Sequence, residues 1–144
     1  MVAAAAIVLT ILSGCSQNSV RAVTSSDRGA VNSAVAKLTP PRGFIRDAHC
    51  SVAGSYCYES ATLIPSPVVS NVQKLLHGFG VTTEQKDIDC LITDSPIKNR
   101  ECDGLGWSAG IEFGFSIVSS RPAVGGPTSE RTAIVLTASR IRSG

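Results

Sequence analysis

The sequence predicts an α+β fold: a mostly antiparallel sheet of about five strands, with two helices packed on one face and two disulfides as staples. Three observations lead to this prediction. Two segments carry apolar residues at helical spacing, and the predicted order is helix, two strands, helix, three strands. One of the strand segments alternates apolar and polar residues over fourteen positions. Four cysteines fall in two pairs that are close in sequence.

The two predicted helices are defined by apolar stripes and by the residues at their ends. The first covers residues 27–38, with Ser26 or Asp27 as its cap and Pro40 shortly after its end. The second covers residues 66–79, where Ser66 suits the N-cap and Pro67 the first helical position. Its apolar stripe is predicted to face the sheet and consists of Val68, Val72, Leu75, Leu76 and Phe79.

Five segments favour strands. Residues 43–50 and 56–61 are predicted to form a hairpin, and 87–93 a third strand followed by a polar loop over 94–103. The strongest segment is 106–119, and the last strand covers 130–141. In the strongest segment alternate side chains point to the core, because side chains alternate between the faces of a strand. These core positions are Trp107, Ala109, Ile111, Phe113, Phe115 and Ile117.

An apolar run over residues 2–12 ends in Leu12, Ser13, Gly14 and Cys15. The run fits the apolar segment of a secretory signal, which has about 7–15 residues. It is too short for a transmembrane helix, which needs about 20. The last four residues resemble the lipobox of bacterial lipoprotein precursors: an aliphatic residue, a small residue, Gly or Ala, then cysteine. The resemblance implies a diacylglyceryl thioether on Cys15, cleavage before it, and acylation of the new amino group.

The resemblance, the polar and small residues that follow Cys15, and the length of the remaining chain together predict the organisation of the chain. Residues 1–14 are expected to be a signal peptide, 15–26 a lipidated flexible tether, and 27–144 a single domain on the extracytoplasmic face of a bacterial membrane. No Lys or Arg precedes Cys15, in contrast to the charged start of most secretory signals.

The cysteine count agrees with this organisation. A lipidated Cys15 cannot form a disulfide, which leaves Cys50, Cys57, Cys90 and Cys102 as an even set in an oxidising compartment. Proximity in sequence predicts the pairs Cys50–Cys57 and Cys90–Cys102. Their gaps of six and eleven residues do not suit the short spacings of a zinc site, so no metal is expected.

Several residues are candidates for catalysis or binding. Ser108 lies in a G-x-S-x-G pattern, but the nucleophile elbow needs a helix after it, and both His49 and His77 precede the serine. His49 is expected to be an exposed strand residue and His77 a helix C-terminal residue. Asp87 and Asp89 are expected to share a strand face, and with Glu84 and Asp94 they form a local acidic cluster without the calcium loop pattern.

Basic residues are concentrated in the predicted C-terminal strand, where they could contact anionic lipid headgroups. This basic surface consists of Arg131, Arg140 and Arg142, extended by Lys98 and Arg100 if the preceding loop lies nearby.

Charge and composition narrow the function. A net charge of +2 and only 5% aromatic residues do not suit nucleic-acid binding. We therefore expect a lipid-anchored cell-envelope protein that binds an envelope protein or ligand without catalysis, with no catalytic residue and no cofactor. The alternatives are an envelope hydrolase that uses Ser108 or the Asp87 and Asp89 cluster, and a carrier of a hydrophobic ligand.

Overall fold

A computed structural model describes residues 19–50, 54–61, 69–92, 99–120 and 131–143. The lipobox with Cys15 lies outside the described residues, as do Ser66 and Pro67 at the predicted start of the second helix, and Asp94 and Lys98.

The described chain forms two helices and seven strands. In chain order these are β1 Ser19–Ala22, α1 Arg28–Ala36, β2 Phe44–Asp47, β3 Ser55–Ser60, α2 Val69–Gly78, β4 Ile88–Ile92, β5 Asn99–Ser108, β6 Ile111–Ser120 and β7 Arg131–Ser143. Short 3-10 turns precede α1 and β4.

All seven strands belong to one antiparallel sheet. Six of them follow the order β2-β3-β7-β6-β5-β4, and β1 pairs with β7 beside this path. β7 is long enough to have two partners on one side. β3 pairs with its first half, from Thr132 to Thr137, and β1 pairs with its end, from Arg140 to Ser143. β6 lies along its other side. The end of β7 therefore joins the N-terminal strand to the body of the sheet.

The predicted count of about five strands is wrong, because the sheet has seven. One additional strand is β1, which lies within the stretch predicted as a tether. The other arises because the segment 106–119 is not a single strand but a hairpin that turns at Ala109 and Gly110. Both turn residues have positive φ, 48° and 79°, as a tight two-residue hairpin turn requires. β5 also extends back to Asn99, into the predicted loop.

The turn explains why Trp107 was assigned to the wrong face. Across a two-residue turn Ser108 pairs with Ile111, so the alternating positions exchange faces. On β6 the odd-numbered residues from Ile111 to Ile117 are buried against the helices. On β5 the even-numbered residues from Cys102 to Ser108 share that helix face, and Trp107 points to the opposite face, which we call the outer face.

The core lies between the helix face of the sheet and the two helices. α1 buries Val31, Ala34 and Val35 in it. From the predicted stripe of the second helix, Val72, Leu76 and Phe79 are fully buried, and Leu75 is partly buried. The ring of Phe79 meets the rings of Phe44 and Tyr58 edge-on, at centroid distances of 5.5 and 5.0 Å. The residue directly after α2 is thus held against β2 and β3 by aromatic contacts.

Both predicted disulfides are confirmed. Cys90 and Cys102 are direct register partners on β4 and β5, with Cα atoms 4.0 Å apart. Cys57 on β3 bonds to Cys50, with Cα atoms 5.4 Å apart. Cys50 lies in the loop after β2 rather than within the predicted strand, because β2 ends at Asp47. The Cys90–Cys102 bond fixes the edge strand β4 to β5. The Cys50–Cys57 bond fixes the loop after β2, the strand at the other edge, to β3.

Candidate binding cleft around Trp107

A cleft of about 400 Å³ opens beside Trp107 where β5 turns into β6. We call it the Trp107 cleft. Its walls come from the end of β5 and its turn, from the segment between α2 and β4, and from the end of β7. The lining residues are Thr82, Thr83, Glu84, Asp87, Leu105, Trp107, Ala109, Gly110 and Arg142.

The segment after α2 is held against β5 by hydrogen bonds. The backbone N–H of Thr82 donates to the carbonyl of Trp107 at 2.9 Å, and that of Trp107 donates back at 2.8 Å. The hydroxyl of Thr83 donates to the carbonyl of Leu105 at 2.7 Å. This wall of the cleft thus continues the hydrogen-bonded sheet beyond the start of β4.

Gly106 allows this close approach. A Cβ atom at that position would lie 2.6 Å from Cγ1 of Val81 and 3.1 Å from the carbonyl oxygen of Thr82. Val81 itself is fully buried. A side chain on Gly106 would therefore push the Val81–Thr83 segment away from β5 and open the wall of the cleft.

Arg142 covers one side of the Trp107 ring. Its guanidinium carbon lies 4.2 Å from the ring centroid, which is a cation–π geometry. The backbone N–H of Arg142 donates to the carbonyl of Gly110 at 2.9 Å, so the end of β7 is tied to the hairpin turn. The pair combines a positive charge and an indole on the outer face of the sheet.

Beside this pair lies a buried carboxylate. Glu112 is the register partner of Trp107 and is only 3% exposed. Nε of Arg140 donates to its Oε1 at 2.7 Å and Nη2 to its Oε2 at 2.7 Å. The hydroxyl of Ser139 donates to Oε1 at 2.8 Å. A bulge in β7 makes this contact possible, since Glu112 pairs with Arg140 and Phe113 with Ala138, which leaves Ser139 as the extra residue.

The electrostatics of this cluster favour a charged carboxylate. Burial raises the pKa of Glu112, but hydrogen bonds from Arg140 and Ser139 and the charges of Arg140 and Arg142 outweigh it, so the pKa of Glu112 is lowered. The carboxylate hydrogen bond to Arg140 raises the pKa of that guanidinium. No sequence pattern indicates this site, because Glu112 occupies a polar strand position that would suit a solvent-exposed side chain equally well.

The described residues of the predicted acidic cluster lie in different places, and Asp87 and Asp89 do not share one strand, because Asp87 precedes β4. Glu84 forms an ion pair with Lys86 at 2.8 Å, and the hydrogen bond from Lys86 lowers the pKa of Glu84. Asp87 lines the Trp107 cleft from the turn before β4. Asp89 lies on β4, opposite Asp103 on β5. Within the described ranges, no group of three or more Asp, Glu, His or Cys side chains is placed to hold a metal ion.

Ser108 and the two histidines lie apart from this cleft. Ser108 is 9% exposed and sits opposite Ile111, and a turn and a strand follow it where a nucleophile elbow would have a helix. His77 is in the last turn of α2, in the wall of a separate cleft with Lys74 and Thr83. The backbone N–H of His49 donates to Asp47 in the loop after β2.

The predicted basic residues of β7 do not form one patch. Arg131 and Arg142 are at opposite ends of the strand, roughly 35 Å apart at the usual rise per residue. Arg100 pairs with Ser119, near the Arg131 end of the sheet. Only Arg140 and Arg142 lie near the Trp107 cleft.

The chain matches no known family model, no curated protein and no solved structure. In the part of the chain that the structure describes, neither helix has the length and apolar character needed to cross a bilayer. The two disulfides are consistent with a protein that folds outside the cytoplasm.

Proposed function

We propose that this protein is a lipid-anchored binding protein on the extracytoplasmic face of a bacterial membrane, held there by acylated Cys15. Its binding surface is the Trp107 cleft with the adjoining outer face of the sheet. The partner is a ligand or protein of the cell envelope.

The cysteine pairing carries the proposal. Four of the five cysteines bond to one another, and the fifth is the cysteine of the lipobox-like motif. Disulfides form and persist in oxidising compartments, where an unpaired exposed thiol would be a liability. Acylation of Cys15 accounts for the odd count and for export together.

Two ion-paired carboxylates, Glu84 in the wall of the cleft and Glu112 beside it, favour binding over catalysis. A general acid or base works best when its pKa lies near the working pH. The pKa values of Glu112 and Glu84 are both lowered by ion-paired cations, which moves them further from neutrality. Such groups hold a fixed pattern of charge, and fixed charges beside an aromatic ring suit the recognition of a polar ligand.

Cell fractionation combined with mass spectrometry tests the anchor. We expect the wild-type protein in the membrane fraction, with an N-terminal peptide that begins at acylated Cys15. Cys15→Ser should abolish the acyl mass and leave the protein soluble or unprocessed, whereas Ser16→Ala, the matched neighbour, should behave as wild type. A wild-type N-terminal peptide without lipid would refute the proposal.

A fluorophosphonate probe, which labels activated serines covalently, tests the alternative of a hydrolase. We expect no labelling of the purified protein, because Ser108 is buried opposite Ile111. Labelling that disappears in Ser108→Ala but persists in Ser116→Ala would replace the binding proposal with a serine hydrolase.

A further inference from the structure

The N-terminal strand brings the proposed anchor close to one end of the sheet. Strand β1 begins at Ser19, four residues after Cys15. Four residues span at most about 14 Å when fully extended. An acyl chain on Cys15 would therefore hold the first residues of β1 close to the membrane surface.

The register of β1 shows which side chains share that end. Ser19 pairs with Ser143, and Val20 pairs with Arg142. Side chains of directly opposed residues in an antiparallel pair point to the same face, so Val20 and Arg142 lie together on the outer face. Arg142 in turn lies over Trp107. A contiguous group of an aliphatic, a cationic and an indole side chain is thus next to the anchored strand.

We propose that Val20, Trp107 and Arg142 form a docking surface that rests in the headgroup layer of the membrane. The inference rests on the proposed lipid anchor and deepens the proposed binding role, because it names a phospholipid headgroup as the ligand of the Trp107 cleft and gives the domain a fixed orientation. Indole rings favour the membrane interface, where the ring is in an apolar region and its N–H remains hydrated. Val20 is 46% exposed, and insertion removes that apolar surface from water.

Among the arginines at the β1 end of the sheet, Arg142 is the one proposed to contact lipid phosphate, because the other two are in ion pairs. Arg140 is neutralised by Glu112 at 2.7 Å, and Arg21 by Asp27 at 2.6 Å. Asp87 is across the Trp107 cleft, so the local field is mixed rather than strongly positive. A guanidinium next to an indole matches a phosphate with a glycerol backbone beside it, which is the chemistry of a phospholipid headgroup.

Trp107 is the single tryptophan of the chain and reports directly on docking. The acylated full-length mature protein is reconstituted into phosphatidylcholine and phosphatidylglycerol vesicles whose acyl chains carry bromine near the headgroup. We expect bromine to quench Trp107 fluorescence, the emission to shift to shorter wavelength, and aqueous iodide to lose most of its access to the ring.

Two matched pairs of variants locate the surface. Val20→Ser and Arg142→Gln should each reduce the quenching by brominated lipid. Ile45→Ser, an exposed aliphatic residue on β2 that is 72% exposed, and Arg131→Gln, an arginine at the other end of β7, should not. Quenching is compared with unbrominated vesicles for each variant, since loss of Arg142 alters the ring's own emission.

The outcomes separate this inference from the proposed anchor. Acylated protein whose Trp107 is unquenched and open to iodide refutes the docking surface and leaves the anchor intact. Protein without an acyl chain refutes the anchor and the docking surface with it. Iodide protection that rises with protein concentration in the absence of vesicles would show that a second copy covers this surface, and would also overturn the inference.

Discussion

At the scale of single residues, Glu112 shows how a strand can bury a charge. Its carboxylate has three hydrogen bonds from Arg140 and Ser139. Arg140 is about half exposed, so one member of the pair keeps contact with water. A buried carboxylate is tolerated when its oxygens are satisfied in this way. Arg140, Glu112 and Trp107 thereby form a fixed row across β7, β6 and β5.

Glu112→Gln should lower the free energy of unfolding by about 1–3 kcal/mol at neutral pH, because charge-assisted hydrogen bonds are replaced by weaker ones. The folded-state pKa of Glu112 lies below its ordinary value of 4.5. The contribution of its charge is therefore present above pH 4.5 and is lost as the pH falls through the folded-state pKa. Urea denaturation at several pH values measures both effects.

Asp103→Asn is the matched control for Glu112→Gln. Asp103 is an exposed acid on the neighbouring strand β5, and its replacement should change the stability by less than about 0.5 kcal/mol. If the difference between wild type and Glu112→Gln were the same at pH 7 and well below pH 4.5, the ionised carboxylate would not be the source of the stability.

At the scale of elements, the attachment of the segment after α2 to β5 depends on a glycine, Gly106. The Val81–Thr83 segment can pair with β5 only because position 106 has no Cβ. Gly104, two residues earlier on β5, has the same role, because a Cβ there would collide with the carbonyl oxygen of Asp87 and the ring of Phe115. The turn between α2 and β4 therefore lies tightly over the middle of β5.

Gly106→Ala should destabilise the protein by about 1–3 kcal/mol, the usual cost of overpacking, and should increase amide hydrogen exchange at Thr82. Gly29→Ala is the matched control. Gly29 lies in α1 with open space around it, so alanine should leave the stability unchanged or raise it by up to about 1 kcal/mol. Equal stability and exchange in Gly106→Ala and wild type would contradict the close packing of this segment.

At the scale of the whole molecule, one sheet with two helices on one face has short strands at both edges. β2 has four residues and β4 five, and each edge has a disulfide at or near it. Short edge strands bury little surface and open easily. The disulfides thus act where the sheet is least held by its own packing.

Loss of the Cys90–Cys102 bond, in the double variant Cys90→Ala and Cys102→Ala, should lower the free energy of unfolding by about 2–4 kcal/mol, the typical contribution of a disulfide. Denaturation of a protein with Cys15→Ser as background, which removes the lipid, measures it. Reductant should destabilise the background protein more than the double variant, because the background has one more bond to lose. Identical denaturation curves for the two proteins would refute a stabilising role for this bond.

Features that depend on neighbours in the chain can be predicted from the amino-acid sequence alone. The buried stripe of α2 follows from helical spacing, and Val72, Leu76 and Phe79 were predicted correctly. The pairs Cys50–Cys57 and Cys90–Cys102 follow from proximity, because cysteines that are close in sequence meet at a small loop-closure cost. The alternation on β6 likewise predicted Ile111, Phe113, Phe115 and Ile117 as core.

The face of Trp107, the strand β1 and the burial of Glu112 could not be predicted from the sequence pattern. An alternating pattern continues unchanged through a two-residue turn, so it cannot show that Ala109 and Gly110 reverse the chain and exchange the faces. Residues Ser19–Ala22 become β1 because the end of β7 offers them an edge to pair with. Glu112 is buried because a bulge more than twenty residues away in sequence brings Ser139 and Arg140 onto it. For β1 and Glu112 the deciding interaction joins segments that are distant in the chain, and a local sequence pattern does not show such pairing.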